Sequence, residues 1–300
     1  MQSDPLPIPE RETADASAYG KQFVDQLECN DLDCLRSKTI EEILEVQGSL
    51  LDNININHPL AMFLPLVPTI DGTTIPFHFF DAMEKGLWNR VPIIIGADSE
   101  DGRPFVYETA NFTVNAIEYE AFVLLLFGMD AVSVTEYYPP NLTGDSRDML
   151  STLITHYIFE CPARYVENLI YSHSPSIPIW LYQWDHPVSA VLWGPDWYCW
   201  GRVCHSSEVP YEFASQQILN LVNFTAEEKN LSHSIMGHFT NFARTGNPNV
   251  GPYQPSLQWP LWDPKNLLSL HFTVPQNTIQ QALLSNYCDF FDTIQYRHGW

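Results

Sequence analysis

The stretch "RVPIIIGADSEDG", Arg90 to Gly102, decides the fold class. Its β-branched run is continuous rather than alternating, which suits a strand buried on both faces, as in a parallel sheet covered by helices. The run closes in an acidic, glycine-flanked loop. In open parallel sheets functional groups gather in the loops at the carboxyl ends of strands. Asp98, Glu100 and Asp101 are therefore candidate site residues, although an acidic loop after a strand is more often a solvated turn.

A second run, "IPIWLYQWDH" (Ile177 to His186), has the same buried character. Between the two lie helical segments, Ala116 to Ala131 and Ser146 to Ser172. So long a helical separation calls for α/β crossovers rather than hairpins. Upstream, Ala14 to Leu27 reads as an amphipathic helix. "TIEEILEVQGSL" (Thr39 to Leu50) is another, with Thr39 as N-cap and Glu42 at the third helical position. The Asp71-Gly72 pair in "LVPTIDG" marks a turn. Ala226 to Thr245 forms a long helix stopped by Gly246 and Pro248. With no repeat and no linker-like stretch, residues 1–300 read as one α/β domain or part of one.

Composition removes several function classes. Acidic residues number 36 against 14 basic ones, a net charge of −22. Such a field repels nucleic acid and anionic membrane surfaces, whose recognition rests on Lys and Arg. With 45% hydrophobic and 13% aromatic residues, the chain can build a core. The longest apolar stretch, "AFVLLLFGM" (Ala121 to Met129), is too short to span a bilayer. There is no H-E-x-x-H, Walker loop, G-x-G-x-x-G or C-x-x-C, and the ten histidines do not cluster. We expect neither a metal nor a cofactor.

The six cysteines comprise two closely spaced pairs, Cys29 with Cys34 and Cys199 with Cys204, plus the distant Cys161 and Cys288. Sequence alone leaves fifteen connectivities open. Sequons stand at Asn111, Asn141, Asn223 and Asn230. Together with an even cysteine count they point to the secretory route and to glycosylation. Yet the start, "MQSDPLPIPERE", has neither the basic nor the apolar region of a signal peptide.

The second strand leads to "RVCHSSEVPYEF", Arg202 to Phe213, which holds His205. A carboxylate and then a histidine, each after a buried strand, fits the hydrolase order Ser…Asp/Glu…His. Alone this is weak, because an isolated loop histidine is more often structural.

A resemblance sharpens it. "LECNDLDCLRSKTIEEIL", "LVPTIDG", "VPIIIGADSEDG", "VCHSSEVPYEF", "FARTGNPN" and "WPLW" follow one another as in the type-B carboxylesterases, the cholinesterase-like branch of the α/β-hydrolases. The chain resembles the C-terminal half of that family, from about Gln2 to about Phe291. The resemblance implies the C-terminal portion of an α/β-hydrolase fold, a mostly parallel central sheet flanked by helices and incomplete without its N-terminal half. It implies a carboxylic ester hydrolase acting on small-molecule esters, with His205 as general base and Asp101, just before Gly102, as the acid. Most relatives carry glutamate at that acid position, so Asp101 is one methylene short. Glu208 matches a buried supporting glutamate, or else makes a structural hydrogen bond. Met62 and Leu64 fall where relatives line the acyl pocket, and aliphatic residues there leave more room than paired aromatics would. The family's usual disulfides map to Cys29–Cys34 and Cys161–Cys288, while Cys199–Cys204 is extra.

The family's nucleophile elbow, G-x-S-x-G, occurs nowhere in the 300 residues, and neither does the glycine-rich oxyanion segment. In relatives both lie upstream of the part that "MQSDPLPIP" resembles. The expectation is a fragment whose serine and signal peptide are encoded upstream, inactive and poorly soluble by itself. The rival expectation is a non-catalytic, cholinesterase-like adhesion or structural protein. Retention of Asp101 and His205 favours the enzyme.

Overall fold

The computed structural model describes residues 1–51, 60, 66–215 and 220–298. Two minimal strands, β1 (Arg11–Glu12) and β2 (Thr69–Ile70), form a small parallel pair. The main sheet comprises β3 (Ile93–Asp98), β4 (Ile179–Trp184), β5 (Leu268–Phe272) and β6 (Thr278–Gln281), in the order β3-β4-β5-β6. The first three run parallel and β6 is antiparallel. Both apolar runs read as strands are strands. They pair in register from Ile93 opposite Ile179 to Asp98 opposite Trp184.

Alternate residues of these strands enter two cores, which is why neither strand shows a polar face. Ile95, Ala97, Ile179 and Leu181 pack with the helices that connect β3 to β4 and with the helix Ser285–Ile294. Ile94, Trp180, Tyr182, Trp184, Leu270 and Phe272 pack with Leu231 and Ile235 of the helix Ala226–Thr245. Each large side chain buried this way contributes roughly 1.5–3 kcal/mol. The open edge of β3 is partly paired: Gly96 donates to the Met1 carbonyl at 3.2 Å and accepts from Ser3 N at 2.8 Å.

Helix boundaries follow the local signals. Thr39 and Glu42 form a reciprocal cap, with Thr39 N donating to Glu42 at 2.8 Å and Glu42 N to Thr39 Oγ1 at 3.2 Å. The helix Ala226–Thr245 ends at Gly246, whose φ of +74° suits a glycine C-cap. The first helix spans Thr13–Gln26 and only half-buries its stripe of Ala16, Tyr19 and Phe23. The segment expected to be helical from Ala116 to Ala131 is a helix over Ala116–Phe127 that ends where Gly128 adopts φ +55°. A new helix, Ala131–Tyr137, follows. The segment expected from Ser146 to Ser172 is helical from Arg147 to His173, with a widened π turn at Thr155–Glu160. Pro162, which has no amide hydrogen to offer the preceding turn, is the second residue after it.

Three disulfides join Cys29 to Cys34, Cys161 to Cys288 and Cys199 to Cys204. The Cys161–Cys288 bridge spans 127 residues and the other two span five each. Loop-closure entropy then assigns it about 5 kcal/mol of stabilisation, against about 2 kcal/mol for a short loop. Replacing Cys161 and Cys288 with Ala should lower the urea midpoint far more than replacing Cys29 and Cys34.

Candidate active site

Two glycines let the site form. A Cβ on Gly96 would lie 2.3 Å from the Tyr182 ring, so only glycine lets that tyrosine cross β3. A Cβ on Gly102 would lie 2.7 Å from Thr155 N and from Ile154 Cγ2. Without a side chain, Gly102 N reaches Thr155 Oγ1 at 2.9 Å. The loop after β3 is thereby held against the π turn.

That loop is also tied to the histidine loop through backbone. Glu100 N donates to Val203 O at 3.1 Å, and Glu100 pairs with Cys204 in a parallel bridge. Directly beyond Cys204, His205 Nδ1 stands 2.7 Å from Asp101 Oδ1. The second carboxylate oxygen, Asp101 Oδ2, accepts from Asp98 N at 2.8 Å. Asp101 is fully buried, and a buried carboxylate is tolerated only when paired and hydrogen-bonded like this.

Of the three candidate acids, Asp101 alone meets the imidazole. Glu100 turns to the surface, with Arg103 and Arg202 each 3.6 Å away. Asp98 is fully buried one layer behind, its Oδ2 accepting from Ser207 N at 2.9 Å. Glu208, 3% exposed, lies beside Asp98. Ser206 takes φ +73°, a left-handed conformation unusual for a side-chain-bearing residue. That sharp turn presents Ser207 N to Asp98. The expected acyl-pocket residues Met62 and Leu64 lie outside the described residues.

His205 keeps 33% of its side-chain surface exposed. It forms part of the wall of a cavity of about 330 Å³ whose other walls include Phe105, Ile154, Ile158 and Phe159. The Phe105 and Phe159 rings flank the imidazole at centroid distances of 5.2 and 5.7 Å. Burial pulls the imidazole pKa down, but the hydrogen bond to Asp101 and the charges of Asp101 and Glu208 outweigh it, so the net shift is upward. A carboxylate only accepts, so Nδ1 carries the hydrogen and Nε2 keeps the lone pair.

The cavity walls were not among the residues expected from sequence. Phe105 sits one helical turn beyond Asp101, a spacing that could have flagged it. Ile158 and Phe159 owe their positions to the π turn and carry no comparable signal.

Glu160, in the same turn, is a buried carboxyl that accepts from the Gln183 amide. Burial pushes it from 4.5 up to about 8, with the charges of Asp101 and Asp185 adding. Between those values the folded protein holds a proton that the unfolded chain has released. Stability therefore falls as pH rises through that window, by about 1.4 kcal/mol per pH unit at most. Glu160→Gln should remove this contribution. Urea midpoints at pH 5.5 and 8 should differ less in the variant than in the parent, the other buried carboxyls Asp98, Glu167 and Glu208 keeping their share of the slope.

A family model described as "Carboxylesterase family" matches residues 7–291. The chain is similar to the cAMP-regulated D2 protein of Dictyostelium discoideum, 33% identical over 260 residues, covering 86% of this chain and 48% of that protein. The Crystal protein of the same organism is 30% identical over 310 residues, covering 99% and 54%. Acetylcholinesterase of Bungarus fasciatus is 25% identical over 274 residues, covering 86% and 43%. The solved structure of a thermophilic PNB esterase superposes with a TM-score of 0.68 at 23% identity, over 93% of this chain and 54% of that one, a likeness of fold. The chain thus spans about half the length of the relatives it matches. Its sheet is that of an α/β-hydrolase esterase, and with the match covering nearly all its residues the chain belongs to the carboxylesterase family.

Proposed function

We propose that the protein hydrolyses small carboxylic esters through a serine acyl-enzyme, with His205 as general base and Asp101 holding it. The observation that carries this reading is the 2.7 Å contact between His205 Nδ1 and the buried Asp101 carboxylate. It leaves Nε2 to take the proton from a serine and return it to the leaving alkoxide, while Asp101 stabilises the imidazolium between the two steps. The apolar walls beside His205 fit an uncharged acyl or alkoxy chain.

On this reading the 300 residues are the C-terminal part of one carboxylesterase domain. The serine and the oxyanion donors come from outside them, and the 300 residues alone are inactive. Support comes from the lack of a G-x-S-x-G in the sequence and from relatives about twice as long. A secreted glycoprotein fits the three disulfides and the four exposed sequon residues, Asn111, Asn141, Asn223 and Asn230. The second reading is a non-catalytic, cholinesterase-like member of the family.

One experiment separates the two. The reading frame is expressed with its upstream coding sequence, offered 4-nitrophenyl acetate and butyrate, and labelled with a fluorophosphonate. Turnover together with a labelled serine in a G-x-S-x-G supports the esterase. An intact upstream frame with another residue at the serine, and no turnover, sinks it.

A further inference from the structure

Behind Asp101 and His205 lies a carboxyl pair. Asp98 and Glu208 are 0% and 3% exposed, and their carboxyl groups lie within hydrogen-bonding reach of each other. The titratable groups around them are Asp101, the His205 imidazole and the Tyr182 hydroxyl, and among the described residues no Lys or Arg forms an ion pair with either carboxyl. Two carboxylates in contact in a dry site cannot both ionise. Ionised, each would only accept, and Asp98 Oδ1 and Glu208 Oε2 are both buried without a donor. A proton between the two side chains satisfies both groups at once. Burial, followed by the neighbouring carboxylate charges, pushes Asp98 well above the ordinary carboxyl range, and burial raises Glu208 as well.

We propose that Asp98 and Glu208 share a single proton at neutral pH, and that Asp98 is thereby a positioning residue for the Asp101–His205 pair. The inference rests on the site reading given under the proposed function and deepens it. Asp98 joins the two loops, since its N–H fixes Asp101 Oδ2 at 2.8 Å and its Oδ2 fixes Ser207 N at 2.9 Å. The shared proton also limits the charge behind the imidazole to one unit on Asp101 and one on the pair. A third negative charge would hold His205 as imidazolium and spoil it as a base.

The test needs no ester. Histidines are labelled with ¹³C at Cε1, the His205 signal is assigned with a His205→Gln variant, and its titration is followed by NMR. Asp98→Asn keeps both hydrogen bonds and leaves the pair's charge on Glu208, so the His205 pKa should stay within about 0.3 unit. Asp98→Asn combined with Glu208→Gln removes that charge, and the pKa should fall by about one unit. If Asp98→Asn alone lowers it by about a unit, with the double variant lowering it further, both carboxyls were ionised and the proposal is overturned.

Infrared spectra at pH 7 give an independent reading. The protonated-carboxyl carbonyl absorption should lose one group's intensity in Asp98→Asn, and an unchanged band overturns the proposal. Should Asp98→Asn fail to fold, Glu208→Gln serves in its place with the same two outcomes. Neither measurement involves turnover. Inactivity of the protein expressed with its upstream coding sequence would sink the esterase reading while leaving the shared proton in place, and an active one with an unprotonated pair would do the reverse.

Discussion

His205→Ala should lower kcat/KM for an activated ester by about six orders of magnitude, the scale seen when the histidine of a serine triad is removed. The measurement uses the protein expressed with its upstream coding sequence. The loss should fall on kcat and leave KM nearly unchanged, because a general base acts only as the nucleophile's proton leaves. The fold should survive. His205 is partly exposed, and its one polar partner among the described residues is Asp101. Removing the imidazole leaves one oxygen of that carboxylate without a partner, at a cost of about 1–3 kcal/mol. The other oxygen keeps the Asp98 N–H. In the parent protein the acid limb of the pH–rate profile should lie above the pKa of free imidazole, since Asp101 and Glu208 together raise His205. Unchanged turnover in the variant would mean that His205 is not the base.

How much of this site could be read from sequence depends on how local each feature is. The strands β3 and β4 are legible because burial on both faces demands an unbroken apolar run, and "VPIIIGAD" and "IPIWLYQW" each give one followed by a polar or acidic loop. The edge of the sheet is not. β5 alternates Leu268, Leu270 and Phe272 over only five residues, and β6 is mostly exposed, so neither stands out from a loop. The helix Ser285–Ile294 was also not anticipated, although Cys288 and Phe291 anchor it in the core.

The loop acids were visible as a group, but choosing Asp101 over Asp98 and Glu100 took a resemblance to relatives. The physical reason for that choice is tertiary. It lies in the Glu100–Cys204 bridge that aligns the two loops and in the turn at Ser206 that hands Ser207 N to Asp98. The pairing of Asp98 with Glu208 belongs to the same class. Two acids far apart in sequence announce nothing until both are buried at one point.

The second large effect is expected from Asp101→Asn, and the hydrogen bonds dictate why. Asp101 Oδ2 accepts from Asp98 N at 2.8 Å, and that donor cannot turn away because it is backbone. In the variant the amide oxygen must therefore stay on Asp98 N, which leaves the amide NH₂ facing His205 Nδ1. The imidazole answers by accepting at Nδ1 and carrying its hydrogen on Nε2, the tautomer that cannot serve as base. A loss of about 10⁴ in kcat is expected, as for the same change in other triads.

A second readout tells this apart from simple protonation. Asp101 supplies both the hydrogen bond and the first of the charges that raise His205, so without it burial should carry the His205 pKa below its parent value. More of the histidine is then neutral at pH 7 while turnover collapses, a combination that only a wrongly placed hydrogen explains. Asp101→Glu restores charge and acceptor and should recover activity to within about 100-fold. It should also cost about 1–3 kcal/mol, since the extra methylene must fit a fully buried site. An Asp101→Asn protein that kept a tenth of the parent rate would show that the acid lies elsewhere, with Asp98 the first residue to change next.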